Sequence, residues 1–260
     1  MTLAKVTLKS RRPGPSLRRE RGGTLIVMGN GPSLRDTIAN HLGFLSTHET
    51  MAVNFAANTP EFFSLRPRHY VLADPHFFTG EEKDPNVKRL WENLARADWD
   101  MTLHLPVGLH RQLPENISIQ HFNMTPGDGS DWLSRRLYRS ALAMPRPRNV
   151  LIPAIMEGVR DGYEDIVIVG ADHTWPHSIY VDDKNRVVSV QPHFYEDNEK
   201  ELDRVAREYE GLHIHDVLGS MTVAFRSYHL IRSYADSLGV SISNATPGSL
   251  IDAFPRRSLS

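Results

Sequence analysis

The sequence predicts an α/β fold: an open, mostly parallel Rossmann-like sheet with helices on both faces and a polar lid segment. Three observations lead there. Short apolar runs such as Thr24-Leu25-Ile26-Val27-Met28 and Ile166-Val167-Ile168-Val169 read as strands buried on both faces. These runs alternate with longer stretches of helical periodicity. The first run ends in Gly29-Asn30-Gly31-Pro32-Ser33, a tight strand-to-helix turn.

In chain order, residues 1–23 form a flexible basic arm carrying Lys5, Lys9, Arg11, Arg12, Arg18, Arg19 and Arg21 against the single acid Glu20. Such a segment suits a solvated arm leading into the first strand, or a patch drawn to an anionic membrane surface, as at the inner face of a membrane, or to an anionic acceptor. Residues 24–260 read as a single domain. After the first strand, Ser33 sits where an N-cap belongs, Leu34 to Leu42 forms a helix, and Gly43 stops it. Further strands are expected at Met51–Phe55, His69–Ala73, Met101–Val107, Ile117–Phe122, Ile166–Gly170 and Ser241–Ala245. Helices are expected at Asn149–Gly162, Glu196–Gly211 and Ser220–Leu238. Residues 171 to about 190 are polar and irregular, the composition of a lid over a site.

With 260 residues the chain can bury a sizeable core, and 40% hydrophobic with 23% charged residues is ordinary for a globular protein. A net charge of −1 argues against general nucleic-acid binding. The absence of cysteine excludes disulfides, thiolate catalysis and Cys-based zinc sites. There is no apolar run of membrane-spanning length and no secretory h-region, so a cytoplasmic location is expected.

In open α/β sheets, ligands gather at the carboxyl ends of the strands. Asn30, Asn54, Asp74, Asp172, His173 and Asn244 all fall there. The Gly29–Ser33 turn lacks the third glycine of a dinucleotide fingerprint and the Gly-Lys-Ser/Thr end of a Walker loop. Its two glycines and the following helix still suit an anion, the alternative being a tight turn with no ligand. His193 is a candidate general base, because an imidazole accepts a hydroxyl proton near neutral pH. Trp175, Tyr180 and Tyr195 suit stacking on a base or packing of the lid. His213-Ile214-His215-Asp216, if extended, would set two histidines on one face, but no third metal ligand is spaced near them.

Taken in order, Gly29–Leu34, Val53-Asn54, Ala73-Asp74-Pro75, Ile168–His173, Pro192–Tyr195 and Ser243–Gly248 resemble a bacterial family. That family contains motility accessory factor glycosyltransferases and 6-hydroxymethylpterin diphosphokinase-like proteins, and is similar to the bacterial sialyltransferases of glycosyltransferase family 42. The resemblance spans about residues 24–257. It implies an inverting, metal-independent transfer of an acidic sugar (sialic, pseudaminic or Kdo-like) from a CMP-activated donor to a glycan or protein acceptor, with no cofactor. It further implies that Gly29, Asn30, Gly31, Ser33, Asn54, Asp172 and His173 hold the nucleotide and that His193 is the base. Arg148 and Asn149 occupy the place of a small Ser/Gly turn, and with Tyr180 they are the candidates for contacting the donor phosphate or carboxylate. Two rival readings are an ATP- and Mg²⁺-dependent pterin pyrophosphokinase, with Asp74 and Asp172 as metal ligands, and a non-catalytic nucleotide-binding partner in a polysaccharide complex.

Overall fold

The computed structural model describes residues 2–18, 22–188 and 211–259. Strands β1 (Thr24–Met28), β2 (Glu49–Val53), β3 (His69–Val71), β4 (Met101–Pro106), β5 (Ile117–Phe122), β6 (Asp165–Val169) and β9 (Ser241–Asn244) form one seven-stranded sheet. Its order is β5-β4-β3-β2-β1-β6-β9, and every pairing is parallel. The α/β class expected from the sequence is therefore the fold observed. A two-stranded antiparallel ribbon, β7 (Tyr180–Val181) and β8 (Val187–Val188), stands apart within the lid segment.

The apolar strands divide two cores between them by simple alternation. Leu25, Val27, Met51, Val53, Ile166 and Ile168 face α7 (Leu151–Arg160) and α8 (Ile214–Asp236). Ile26, Met28, Ala52, Tyr70, Val167 and Val169 face the other way. That second face is covered by α2 (Ser33–Ser46), α3 (Pro60–Leu65) and α5 (Pro85–Ala95). Burial on both faces is why the strands lack polar alternation.

Several elements differ from the sequence expectation. Helix α2 runs past Gly43 to Ser46, with a kink at His41 (φ −131°, ψ 25°). Buried Leu45 beyond the glycine anchors the extra turn, and this outweighs a penalty of about 1 kcal/mol for an exposed mid-helix glycine. Helices α3, α4 (His76–Thr79), α5 and α6 (Asp131–Arg139) were not anticipated. For α5 the signal lies in Asp84-Pro85: the Asp84 carboxylate accepts from Asn86 N at 2.8 Å, and Pro85 opens the helix. His213–Asp216 is no extended metal face. It starts α8 through a capping box, with His213 N donating to Asp216 Oδ2 at 3.0 Å. The helix expected at 196–211 lies, up to residue 210, outside the described residues.

The N-terminal segment, expected as a flexible arm, is ordered and docked over residues 2–18. Thr2–Lys9 forms α1, and its Val6 is buried in the first core. Arg11 N donates to Asn123 Oδ1 (3.0 Å), and Asn123 Nδ2 donates back to Arg11 O (2.7 Å). Leu17 N donates to Gln120 Oε1 at 2.7 Å. Among the described residues, no helix is long and apolar enough to cross a membrane.

Candidate functional site

The chain places β2 to β5 on one side of β1 and then crosses to place β6 on the other side. The carboxyl ends of β1 and β6 are therefore a topological switch point, where a crevice opens by construction. A cavity of about 430 Å³ lies there, within the size range of small-ligand sites. Asn30 after β1, Asn54 after β2, Ala73-Asp74-Pro75 after β3 and Gly170 to Trp175 after β6 line it. Pro147 to Leu151 at the start of α7 closes the remaining side.

The Gly29–Ser33 turn owes its glycines to protein packing. A Cβ at Gly29 or Gly31 would collide with the Gly170 carbonyl, and at Gly31 also with the Asp172 carboxylate. Ser33 is the first helical residue and not the cap. Its Oγ donates to Asp172 Oδ2 (2.8 Å) and its N–H to Asp172 Oδ1 (3.3 Å). The cap of α2 thus comes from 139 residues further along the chain. With a carboxylate already at that helix start, the turn is not where a phosphate would be welcome.

The start of α7 is different. Asn149 Oδ1 accepts Leu151 N–H at 3.0 Å, and among the described residues no acidic side chain caps the helix. Arg148 is exposed at the cavity, and among the described residues no carboxylate forms an ion pair with it. A helix N-terminus with a guanidinium beside it suits an anion.

His173 stands behind Asn149. Its backbone is left-handed (φ 52°), as is that of Asn54 (φ 51°). Two non-glycine residues in this region at one cavity are the kind of local strain found at functional sites. The proton positions follow from the contacts. Asn149 Oδ1 takes both Leu151 N–H and the Tyr228 hydroxyl proton (2.9 Å), so the Tyr228 oxygen accepts from His173 Nε2–H at 2.7 Å. Full burial pushes the His173 pKa down to about 3, so the ring is neutral at physiological pH and serves as a fixed wall. Trp175 lies against it with ring centroids 4.1 Å apart. The Asn30 side chain is also buried at the cavity, and its Oδ1 has no hydrogen-bond partner among the described residues.

Of the residues singled out in the sequence, Asn30, Gly31, Asn54, Asp74, Arg148, Asn149, Asp172, His173 and Trp175 line this cavity, while Gly29 packs against the Gly170 carbonyl and Ser33 bonds to Asp172. Tyr180 does not join them: it is 52% exposed on the short ribbon and does not line the cavity. Asn244 is structural, because its Oδ1 accepts Thr246 N–H (2.9 Å) and its Nδ2 donates to Ser249 Oγ (3.0 Å). Asp74 and Asp172 belong to no three-ligand metal group among the described residues. His193 and Tyr195 lie outside the described residues. Sequence reasoning missed Tyr228, which reads simply as a core aromatic within a long helix.

Among solved structures, a MAf glycosyltransferase from Magnetospirillum magneticum AMB-1 superposes on 99% of this chain with a TM-score of 0.54 and 10% sequence identity. The fold is shared with a glycosyltransferase. The chain spans 37% of the length of that protein. No family model and no curated protein matches the sequence.

Proposed function

We propose that the chain is a glycosyltransferase that moves an acidic sugar from a CMP-activated donor to a glycan or protein acceptor with inversion. The observation that carries this reading is the cleft at the switch point, where the start of α7 and Arg148, which has no carboxylate partner among the described residues, adjoin the His173–Trp175 wall. In this reading the donor phosphate lies at residues 148–151, because Asp172 already occupies the start of α2. The nucleoside lies against Asn30, Asn54 and Trp175. As the bond from the anomeric carbon to the phosphate oxygen breaks, the acceptor oxygen bonds to the opposite face of that carbon. Charge gathers on the departing phosphate, where the Arg148 guanidinium and the α7 N–H groups stabilise it. His193 takes the acceptor hydroxyl proton, and no metal takes part in the step. The glycosyltransferase whose fold superposes on this chain supports the general class.

The test is a transfer and donor-hydrolysis assay with CMP-linked acidic sugars, with and without EDTA. His193→Ala should lower turnover by about 100-fold or more while CMP affinity stays within about twofold. Undiminished turnover in that variant would remove the proposed base. Activity that instead needs ATP and Mg²⁺ and a pterin alcohol would replace the reading altogether.

A further inference from the structure

A second polar cluster lies toward the other end of α7 from the cleft. His69 opens β3, His104 and Gln120 sit on β4 and β5, and Glu157 and Asp161 come from the far end of α7. All five are buried, His104 completely and His69 and Asp161 to within 2%. Burying so many polar groups is costly unless every donor and acceptor is matched.

Proton accounting leaves them unmatched at one point. The Tyr163 hydroxyl donates to Glu49 Oε2, so its oxygen accepts from His69 Nε2–H at 2.7 Å. His104 Nδ1–H donates to Glu157 Oε2 at 3.2 Å. Both amide hydrogens of Gln120 are used, on Glu157 Oε2 (2.9 Å) and Asp161 Oδ1 (2.8 Å). With His69 protonated on Nε2 and His104 on Nδ1, the rings turn lone pairs on His69 Nδ1 and His104 Nε2 toward one another, 3.0 Å apart. Asp161 Oδ1 also accepts the Ser16 hydroxyl (2.6 Å), but its Oδ2 has no hydrogen-bond partner among the described residues. That oxygen lies 3.8 Å from His69 Nδ1 and 3.7 Å from His104 Nε2. In that tautomer pair three acceptors converge with no donor between them among the described residues.

We propose that His69 Nδ1, His104 Nε2 and Asp161 Oδ2 bind one divalent ion of the zinc class, which ties β3 and β4 to the end of α7. Metal–ligand bonds of about 2.0–2.1 Å in a tetrahedral site place neighbouring donor atoms roughly 3.3 Å apart. The observed triangle, with edges of 3.0, 3.7 and 3.8 Å, needs only small shifts to fit. Two imidazoles and one carboxylate select zinc over magnesium or calcium, which prefer all-oxygen sets. The surroundings are those of a built site: Glu157 holds one ring, the Tyr163–Glu49 pair holds the other, and Gln120 and Ser16 fix the carboxylate. The N-terminal segment closes the site, with the Arg18 guanidinium 3.9 Å above the Tyr163 ring. Because α7 also carries Asn149 at its other end, the ion would brace the helix that forms the cleft from about 15 Å away.

Tag-free protein purified from zinc-supplemented medium is analysed for metal by mass spectrometry, and chelator-treated protein is reloaded with cobalt(II). The expected result is about one zinc per chain and the visible absorption of tetrahedral cobalt. Asp161→Asn and His104→Gln should each fall below about 0.1 equivalent, whereas a His213→Ala/His215→Ala double variant keeps the full stoichiometry. Wild-type protein that is folded by circular dichroism yet takes up less than about 0.1 equivalent of either metal overturns the proposal and leaves a shared proton to fill the triangle. Zinc retained in full by Asp161→Asn, or lost with His213 and His215, overturns it equally.

Discussion

Gly31→Ala tests the reading of the turn at the start of α2. The backbone of Gly31 is not left-handed, so alanine brings no conformational penalty of its own. Its new methyl falls on the Asp172 carboxylate and 2.8 Å from the Gly170 carbonyl oxygen. The carboxylate must move, giving up its contacts to Ser33 Oγ and Ser33 N and leaving α2 uncapped. Loss of a cap costs about 1 kcal/mol, and forcing a methyl into packed space costs about 1–3 kcal/mol, so the sum is about 2–4 kcal/mol. Urea denaturation should show that loss as a lower midpoint at unchanged slope. Asp172→Ala removes the nearer of the two obstacles at its own cost of about 1 kcal/mol. In the double variant the two costs should fall short of their sum by at least about 1 kcal/mol. Additivity within about 0.5 kcal/mol would refute the overlap and return Gly31 to a role in close ligand approach.

Two other outcomes follow from the same geometry. Gly43→Ala fills an exposed helical position with nothing within 4 Å of the new methyl, and should stabilise the protein by about 0.5–1 kcal/mol in the same denaturation assay; a loss of stability would contradict a helix through that point. The His173 ring titrates near 6.5 when unfolded and near 3 when folded, so its contribution is complete above pH 6.5 and is lost as pH falls toward 3. At pH 5 that loss is about 2 kcal/mol. His173→Asn, which keeps a residue tolerant of the left-handed backbone, should flatten the fall in stability between pH 8 and 5; an unchanged slope would place the acid sensitivity elsewhere.

The strands were the legible part of this sequence. The runs around Ile26 and Ile168 stand out because burial on both faces leaves unbroken apolar stretches. Helices α5 and α6 are short and their apolar faces narrow: only Val87, Leu90, Trp91 and Leu94 in the first, and Leu137 and Tyr138 in the second, are buried apolar residues. The convergence of Asn30, Asn54, Asp172 and His173 followed from their placement at strand ends. What Asp172 does there did not, because capping a helix 139 residues away leaves no local spacing to read. The same holds for His69, His104 and Asp161, which no motif joins and only the stacking of strands on α7 brings together.

The central claim is that the cleft beside α7 receives the phosphate of an activated donor. Isothermal titration of CMP into the full chain tests it most directly, with Arg148→Ala as the paired variant. The account predicts binding that does not require Mg²⁺ and weakens about 10-fold or more in Arg148→Ala, as expected for loss of a charge-assisted contact of about 1.5–3 kcal/mol. No detectable binding of CMP, or binding indifferent to Arg148, would contradict it.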